Sequence, residues 1–332
     1  LMHGVNLSKT TDAIACATVI PTRTIPAMVD DVRASLLTQP RTLSPKYFYD
    51  EYGSELFDQI CTTAEYYPTR TENHLLQHYA REIIEKTRPE QILELGSGYS
   101  VKTRRLFDAC ETVNHQCIYS PFDVCEEVLI DSAQKLTDEY DWLGLSPLLG
   151  DYHGGLGNLP TAAGNRLFVF LGSTIGNFEQ VEALHFIEEL NKIMQPNDHL
   201  LLGVDRVKES TVLNAAYNDA QGITAKFNLN ILRVLNKKLD ADFNLDGFEH
   251  SAVFNNHESR IEMRLIANSE QEVVINELDE SIQFKKGEDI LTEISQKYTY
   301  SGIENLLSAA GLSIIDHYED AQSYFSFILP AK

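Results

Sequence analysis

The sequence predicts an α/β protein, an open and mostly parallel Rossmann-like sheet joined to a second, α+β domain. Three observations carry that prediction. An apolar strand at 92–95 breaks at Gly96 and Gly98 and passes into a helix-like run from Lys102. Strand-like and helix-like segments then alternate as far as Asp205, the pattern of a parallel sheet with crossover helices. Beyond Asp205 come long helical patterns and alternating strands, then a closing helix and two strands.

The glycine loop suits a nucleotide-like cofactor. Glycines let the backbone approach a ligand closely, and the start of the next helix offers free N–H groups. The third glycine of the dinucleotide fingerprint is absent, because Val101 stands in its place. An acidic-x-Gly-x-Gly loop with no pyrophosphate to cradle fits S-adenosylmethionine (SAM) better than NAD.

The totals narrow the partners. With 332 residues, 43% hydrophobic and 23% charged, the chain has room for two domains with ordinary globular cores. A formal net charge of −22 argues against nucleic acid or an anionic membrane surface, predicts a monomer, and leaves small zwitterionic or cationic substrates open. The five cysteines (Cys16, Cys61, Cys110, Cys117, Cys125) show no CxxC spacing and read as free thiols in a reducing, cytoplasmic setting, with no metal site. No run of eighteen apolar residues is present, so nothing is expected to span a membrane. The apolar segment 13–20 lacks the flanks of a signal peptide, and the opening Leu1-Met2-His3-Gly4 reads as a cloning remnant.

In chain order, residues 25–37 have helical spacing of Met28, Val29, Val32, Leu36 and Leu37. Tyr47, Phe48, Tyr49, Tyr52 and Phe57 follow closely, with Tyr66 and Tyr67 soon after. That density is either a small aromatic core or the wall of a pocket for a cationic group. Pro68 opens a helix reaching Ile84, with Thr69 or Thr71 as N-cap and Glu72 three residues beyond Thr69. A second strand, 117–122, ends at Asp123, which either accepts ribose hydroxyls or caps the helix 126–136. A short strand near 147–149 leads to Asp151 and Tyr152, placed to meet an adenine amino group and to lie along its ring. The strand 166–171 is apolar enough to be buried on both faces, and it runs into a loop ending at Asn177. Asn177 either caps the next helix, 181–194, or offers a donor and an acceptor to substrate. A fifth strand spans 199–205. Residues 208–239 read as helix interrupted at Gly222, and strand alternation follows at 251–266 and 272–284. A helix at 300–311 and two strands close the chain, as in the antiparallel hairpin that ends a seven-stranded methyltransferase sheet.

These residues resemble a family. Lys46-Tyr-Phe-Tyr-Asp50, Glu65-Tyr-Tyr-Pro-Thr-Arg-Thr-Glu72, Glu94-Leu-Gly-Ser-Gly98 and Leu171-Gly-Ser-Thr-Ile-Gly-Asn177 are similar to motifs of the ergothioneine-pathway L-histidine Nα-methyltransferases. So are Tyr217-Asn-Asp-Ala220, Gly222-Ile-Thr-Ala-Lys-Phe-Asn228, Phe248-Glu-His250, Arg260-Ile-Glu-Met263 and Leu291-Thr-Glu-Ile-Ser-Gln-Lys297. The resemblance implies a class I SAM-dependent methyltransferase that methylates the α-amine of histidine three times, giving hercynine and S-adenosylhomocysteine. It implies a SAM-binding domain at 71–206 and 296–332, and a substrate domain at 18–70 and 207–295. The cofactor site it implies is Gly96, Gly98, Lys102, Asp123, Asp151 and Tyr152. The histidine site is Tyr66, Asn177, Tyr217, Glu293 and Ser295, with Tyr49, Phe57 and Met263 nearby. Tyr49, Asn177 and Tyr217 are the candidates closest to the chemistry.

Glu293 and Ser295 are two apart, so on an extended segment both point the same way, whether onto an exposed strand face or toward the two nitrogens of an imidazole. The nearest rival is a relative acting on a tryptophan derivative, whose indole has no use for a buried carboxylate at Glu293. A cofactor-binding protein without catalysis and an NAD-linked oxidoreductase are the readings from other classes. The missing third glycine and the closing hairpin speak against the second.

Overall fold

The structure, a computed structural model, describes residues 14–332, so the opening tetrapeptide lies outside it. A two-residue strand β1 (Ala17–Thr18) precedes α1 (Met28–Leu36), a 3₁₀ turn (Pro45–Phe48), α2 (Glu51–Ile60) and α3 (Tyr67–Thr87). The alternating region follows as β2 (Gln91–Leu95), α4 (Arg104–Thr112), β3 (Ile118–Asp123), α5 (Glu126–Glu139), β4 (Gly144–Leu145) and β5 (Leu148–Leu149). It continues through β6 (Arg166–Phe170), α6 (Gln180–Ile193) and β7 (His199–Asp205). Then come α7 (Ser210–Ala216), α8 (Ile223–Leu239), β8 (Phe248–Asn255), β9 (Arg260–Ala267), the hairpin β10 (Gln271–Ile275) and β11 (Glu280–Phe284), and β12 (Asp289–Gln296). The chain closes with α9 (Tyr300–Ala309), β13 (Ser313–Glu319) and β14 (Phe325–Ala331).

The main sheet has nine strands in the order β1-β5-β3-β2-β6-β7-β14-β13, with β4 beside β3. The expected seven are all present, and the short β1 and β4 are additions at one side. Neither carries enough residues for a periodic signal. Strands β2, β3, β6 and β7 are mutually parallel, while β14 runs antiparallel to both β7 and β13. From β2 the chain winds outward through β3 to β5, then returns to β6 and β7 on the other side. The carboxyl ends of β2 and β6 therefore flank the point of reversal, where open α/β sheets form their ligand crevice. Buried residues cover both faces of this sheet, Phe168 and Leu200 on one and Val169 and Leu201 on the other. Arg166 opens β6 fully buried, held by Asp198 at 2.9 Å.

A second apolar core draws on two separate stretches of chain. Phe48, Leu56 and Ile60 come from the first, and Phe227, Ile231, Leu265 and Phe284 from the second. It packs α2 and α8 against the antiparallel sheet β12-β9-β8. The helix α3 serves both cores: Tyr67 in its first turn joins this one, and Leu75 to Ile84 join the main sheet. The other two crossings run side by side, because the Tyr298 N–H donates to the Asp205 carbonyl at 2.9 Å and the Val207 N–H to that of Tyr298 at 3.1 Å.

Two local expectations change. The helix α3 begins at Tyr67, with Pro68 in its first turn and no side-chain cap, so neither Thr69 nor Thr71 is an N-cap. Proline there has the required φ and lacks only an N–H that would have no helical partner. Asn177 does not cap α6; Glu179 and Glu182 do so as a reciprocal pair. All five cysteines are free thiols. No helix among the described residues is long and apolar enough to cross a membrane.

Candidate active site

The loop after β2 turns through left-handed residues, Gly96 at φ 68° and Gly98 at φ 49°. A Cβ on Gly98 would meet no atom within 4 Å, and one on Gly96 would come 3.5 Å from the Tyr152 ring. The loop thus borders open space, with Tyr152 facing it. At the end of β3, Asp123 accepts the Gly98 N–H at 2.9 Å and the Cys125 N–H at 3.2 Å, which ties the two strand ends together. It does not cap α5, whose preceding residue is Cys125. Asp151 accepts from the His153 backbone and ring, both at 2.8 Å. Burial pushes the Asp151 carboxyl up, but those bonds prevail and hold it below its ordinary value. Tyr152 is wedged among Phe170, Phe178 and Phe186.

Lys102 lies in the turn before α4 and pairs with Glu72, whose sequence context alone suggests a helix cap. Glu72 is fully buried and accepts the Gly172 N–H at 2.6 Å. Gly203 in β7 makes room for it, since a Cβ there would stand 2.6 Å from the carboxylate. One carboxylate thereby joins α3, the glycine loop's lysine and the loop after β6. Glu94, also buried, accepts from Thr103 at 2.6 Å and from the Tyr119 hydroxyl. Burial raises its carboxyl to about 7 despite both bonds.

The loop after β6 leads toward β12, and a Cβ on Gly176 would meet the Gln296 carbonyl at 2.9 Å, so Asn177 adjoins that strand. Strand β12 bulges between Leu291 and Glu293, after which Glu293 pairs with Met263 and Ser295 with Ile261. Directly paired residues share a face, so Met263 stands beside Glu293, and alternation puts Ser295 and Lys297 on that face too. Aromatic rings wall the space. Tyr49 packs edge-on to Phe57 at 5.7 Å and to Phe227 at 5.6 Å, and Tyr66 packs edge-on to Tyr217 at 5.9 Å. The aromatic-rich stretch is divided: Phe48 is fully buried in the core, while Tyr49 remains 46% accessible. Tyr49 and Tyr66 are nonetheless surrounded by protein mass, and that burial pushes both hydroxyls well above their ordinary range. Accessible yet enclosed side chains are those lining a cleft. Burial likewise raises the Glu293 carboxyl to about 7, partly offset by Lys297.

A charged cluster missed in the sequence lies behind these residues. Asp205, at the carboxyl end of β7, is held by Lys208 at 2.6 Å, Lys297 at 2.8 Å and the Tyr67 hydroxyl at 2.7 Å. Burial favours a neutral acid, but the two ammonium groups prevail and keep Asp205 below the ordinary carboxylate value. For Lys208 burial wins, lowering it to about 8. Two sequence signals pointed there: Asp205 ends a central strand, and Lys297 extends the Glu293–Ser295 alternation by one step. His250 also supports the site, its Nε2 lying 2.9 Å from the Tyr217 carbonyl.

The sheet order, the left-handed glycine loop and the acidic strand ends define the fold of a class I α/β methyltransferase. The chain belongs to the family of histidine-specific, SAM-dependent methyltransferases, matched over residues 28–332. It is 43% identical over 306 residues to a histidine N-alpha-methyltransferase of Mycobacterium tuberculosis, covering 92% of this chain and 95% of that one. It is 29% identical to ergothioneine biosynthesis protein 1 of Neurospora crassa, over 86% of this chain and 32% of that longer protein. An L-tryptophan methyltransferase of Psilocybe serbica is 27% identical over 82% of this chain and 83% of its own length.

Proposed function

We propose that this protein transfers three methyl groups in turn from SAM to the α-amine of L-histidine, giving hercynine, as in ergothioneine biosynthesis. The observation that carries the substrate choice is Glu293 and Ser295 on one face of β12, with Tyr217 hydrogen-bonded to Ser295 and packed edge-on to Tyr66. The greater identity to the mycobacterial histidine enzyme than to the tryptophan enzyme supports it.

In this reading, residues 71–206 and 296–332 form the cofactor domain, and 18–70 and 207–295 the substrate domain. The open space at Gly98 and the Tyr152 ring opposite Gly96 fit a nucleoside-bearing ligand. Gly96, Gly98 and Lys102 hold it together with Asp123 for ribose, Asp151 for the adenine amino group and Tyr152 along the ring. SAM, when bound, supplies an electrophilic methyl group on a sulfonium and leaves as S-adenosylhomocysteine. The chain's own task is alignment, because an in-line displacement needs the reacting atoms about 3–3.5 Å apart. Asn177 and Tyr217 anchor the amino acid's carboxylate and amine, Tyr66 contacts the imidazole, and Glu293 and Ser295 take its two nitrogens. Phe57 and Met263 complete the wall. A proton must leave the amine before each transfer. Tyr49 stays protonated at working pH, so it relays that proton through its hydroxyl instead of acting as a phenolate base. Ring faces accept the growing positive charge without demanding N–H donors, which suits trimethylation. The −22 charge supports a monomeric protein with no nucleic-acid or membrane partner, and the free cysteines fit a reducing, cytoplasmic setting.

The test is mass spectrometry after incubation with SAM and each of the twenty amino acids. A gain of three methyl groups on histidine alone is expected. Methylation of tryptophan instead would overturn the substrate assignment. Binding of S-adenosylhomocysteine with no methylated product would overturn the enzyme assignment.

A further inference from the structure

Lys297 is a cation buried directly behind two substrate-site residues, with only 2% of its surface accessible. Its ammonium group pairs with Asp205 at 2.8 Å and donates to the Ser295 hydroxyl at 2.8 Å and the Tyr217 hydroxyl at 3.0 Å. Asp205 cannot swing away, because Lys208 and Tyr67 hold it from the other side. An ammonium group only donates, so Ser295 and Tyr217 each give up a lone pair to it. The two hydroxyls are 2.9 Å apart, with Tyr217 donating to Ser295. Ser295 thus accepts twice, and no described protein group takes its own proton. A hydroxyl in that state is a donor toward whatever fills the cleft, and Glu293, on the same face of β12, is the acceptor beside it.

We infer that Lys297, clamped by Asp205, is a positioning residue that fixes Ser295 as a hydrogen-bond donor, so that Ser295 and Glu293 together select a neutral ring bearing one N–H and one unprotonated nitrogen. The inference rests on the histidine reading. Lys297 touches no substrate atom; it acts through the proton order of Tyr217 and Ser295. Without it, both hydroxyls can turn either way, and the donor facing the ring is no longer guaranteed.

The test is a double-mutant cycle read by calorimetric titration of L-histidine into protein saturated with S-adenosylhomocysteine. Lys297→Met and Ser295→Ala are each expected to weaken histidine binding by about tenfold or more. The double variant is expected to lose about as much as either single one, because both remove the same donor. S-adenosylhomocysteine binding within about twofold of wild type checks that the cofactor crevice is intact. Additive losses would make Lys297 a merely structural residue and overturn the inference. A second measurement uses only the wild-type protein. The two pyrrolylalanines keep one ring N–H but replace the acceptor nitrogen by C–H, and both are expected to bind at least about tenfold more weakly than histidine. Binding equal to histidine's overturns the inference even if Lys297→Met fails to fold. A wild-type protein that binds no histidine overturns the functional reading and this inference together, whereas histidine binding with an additive cycle overturns the inference alone.

Discussion

Burial raises the Glu293 carboxyl from 4.5 to about 7, and the sign of that shift has consequences for stability. Between those values the unfolded chain has already lost the proton while the folded one keeps it. Folding stability therefore falls as pH rises through this window, by on the order of 3 kcal/mol at most. Glu293→Gln removes the penalty. Its melting temperature should exceed wild type at pH 8 and differ little at pH 5, and equal shifts at both pH values would contradict the assignment. The same variant replaces one acceptor oxygen by an NH2 donor and removes the charge facing the ring, so its preference for histidine over tryptophan should shrink by about tenfold in competition assays. Lys102 presents the opposite case. Lys102→Met strands the buried Glu72 carboxylate without its cation, at a cost of about 3 kcal/mol by chemical denaturation. Adding Glu72→Gln should restore most of that stability but not cofactor affinity. Recovery of both would mean that Lys102 serves only as the partner of Glu72.

Helix α2 packs so closely on the preceding turn that a Cβ on Gly53 would stand 1.7 Å from the Phe48 carbonyl. Gly53→Ala must push the helix away and move Phe57, and with it the aromatic wall at Tyr49. The expected result is histidine affinity at least about tenfold lower with S-adenosylhomocysteine affinity nearly unchanged. Gly98→Ala should do the reverse, since its Cβ enters only open space and the left-handed backbone costs about 1 kcal/mol. Titrations with the two ligands separate these cases, and a shared loss in both variants would refute the division of the site. This division also explains what the sequence disclosed. Strand β7 matches the apolar run at 199–205, and the glycine loop and Asp123 lie at the ends of β2 and β3, where local pattern has them, whereas the Glu293–Ser295 pair comes only from the family resemblance. Helix α2 buries Gly53, Leu56 and Ile60 at helical spacing, a short stripe masked in the sequence by the neighbouring aromatic residues. Glu72 was misread because Thr-x-x-Glu is a local cap pattern, whereas its burial depends on Gly172 and Gly203, about a hundred residues or more away. The Asp205 cluster joins Tyr67, Lys208, Tyr217, Ser295 and Lys297 from three parts of the chain, and no window of sequence contains it.

For the molecule as a whole, the net charge of −22 makes folding an act of concentrating like charge. Many of its ion pairs are exposed ones such as Arg81–Glu85 and Lys135–Asp131, which contribute little. Self-repulsion should outweigh them, and salt should relieve it, since the screening length falls from about 10 Å at 0.1 M to about 3 Å at 1 M. Raising pH adds to the burden, because the raised carboxyls of Glu94 and Glu293 become ionised above about 7. Acid sets the other limit. Asp205, Asp219 and Glu262 are held below their ordinary values by lysines, backbone N–H groups and arginines respectively, so the stability they contribute is lost as pH falls through those lowered values. Thermal stability should therefore peak on the acid side of neutrality, between about pH 5 and 6.5, and decline toward pH 8.5. Scanning calorimetry at low and high sodium chloride should show a melting temperature that rises with salt, and rises more at pH 8 than at pH 6. A melting temperature that falls with salt at pH 8 would mean that the ion pairs outweigh the repulsion, and that the acidic surface is stabilised by its own pairing.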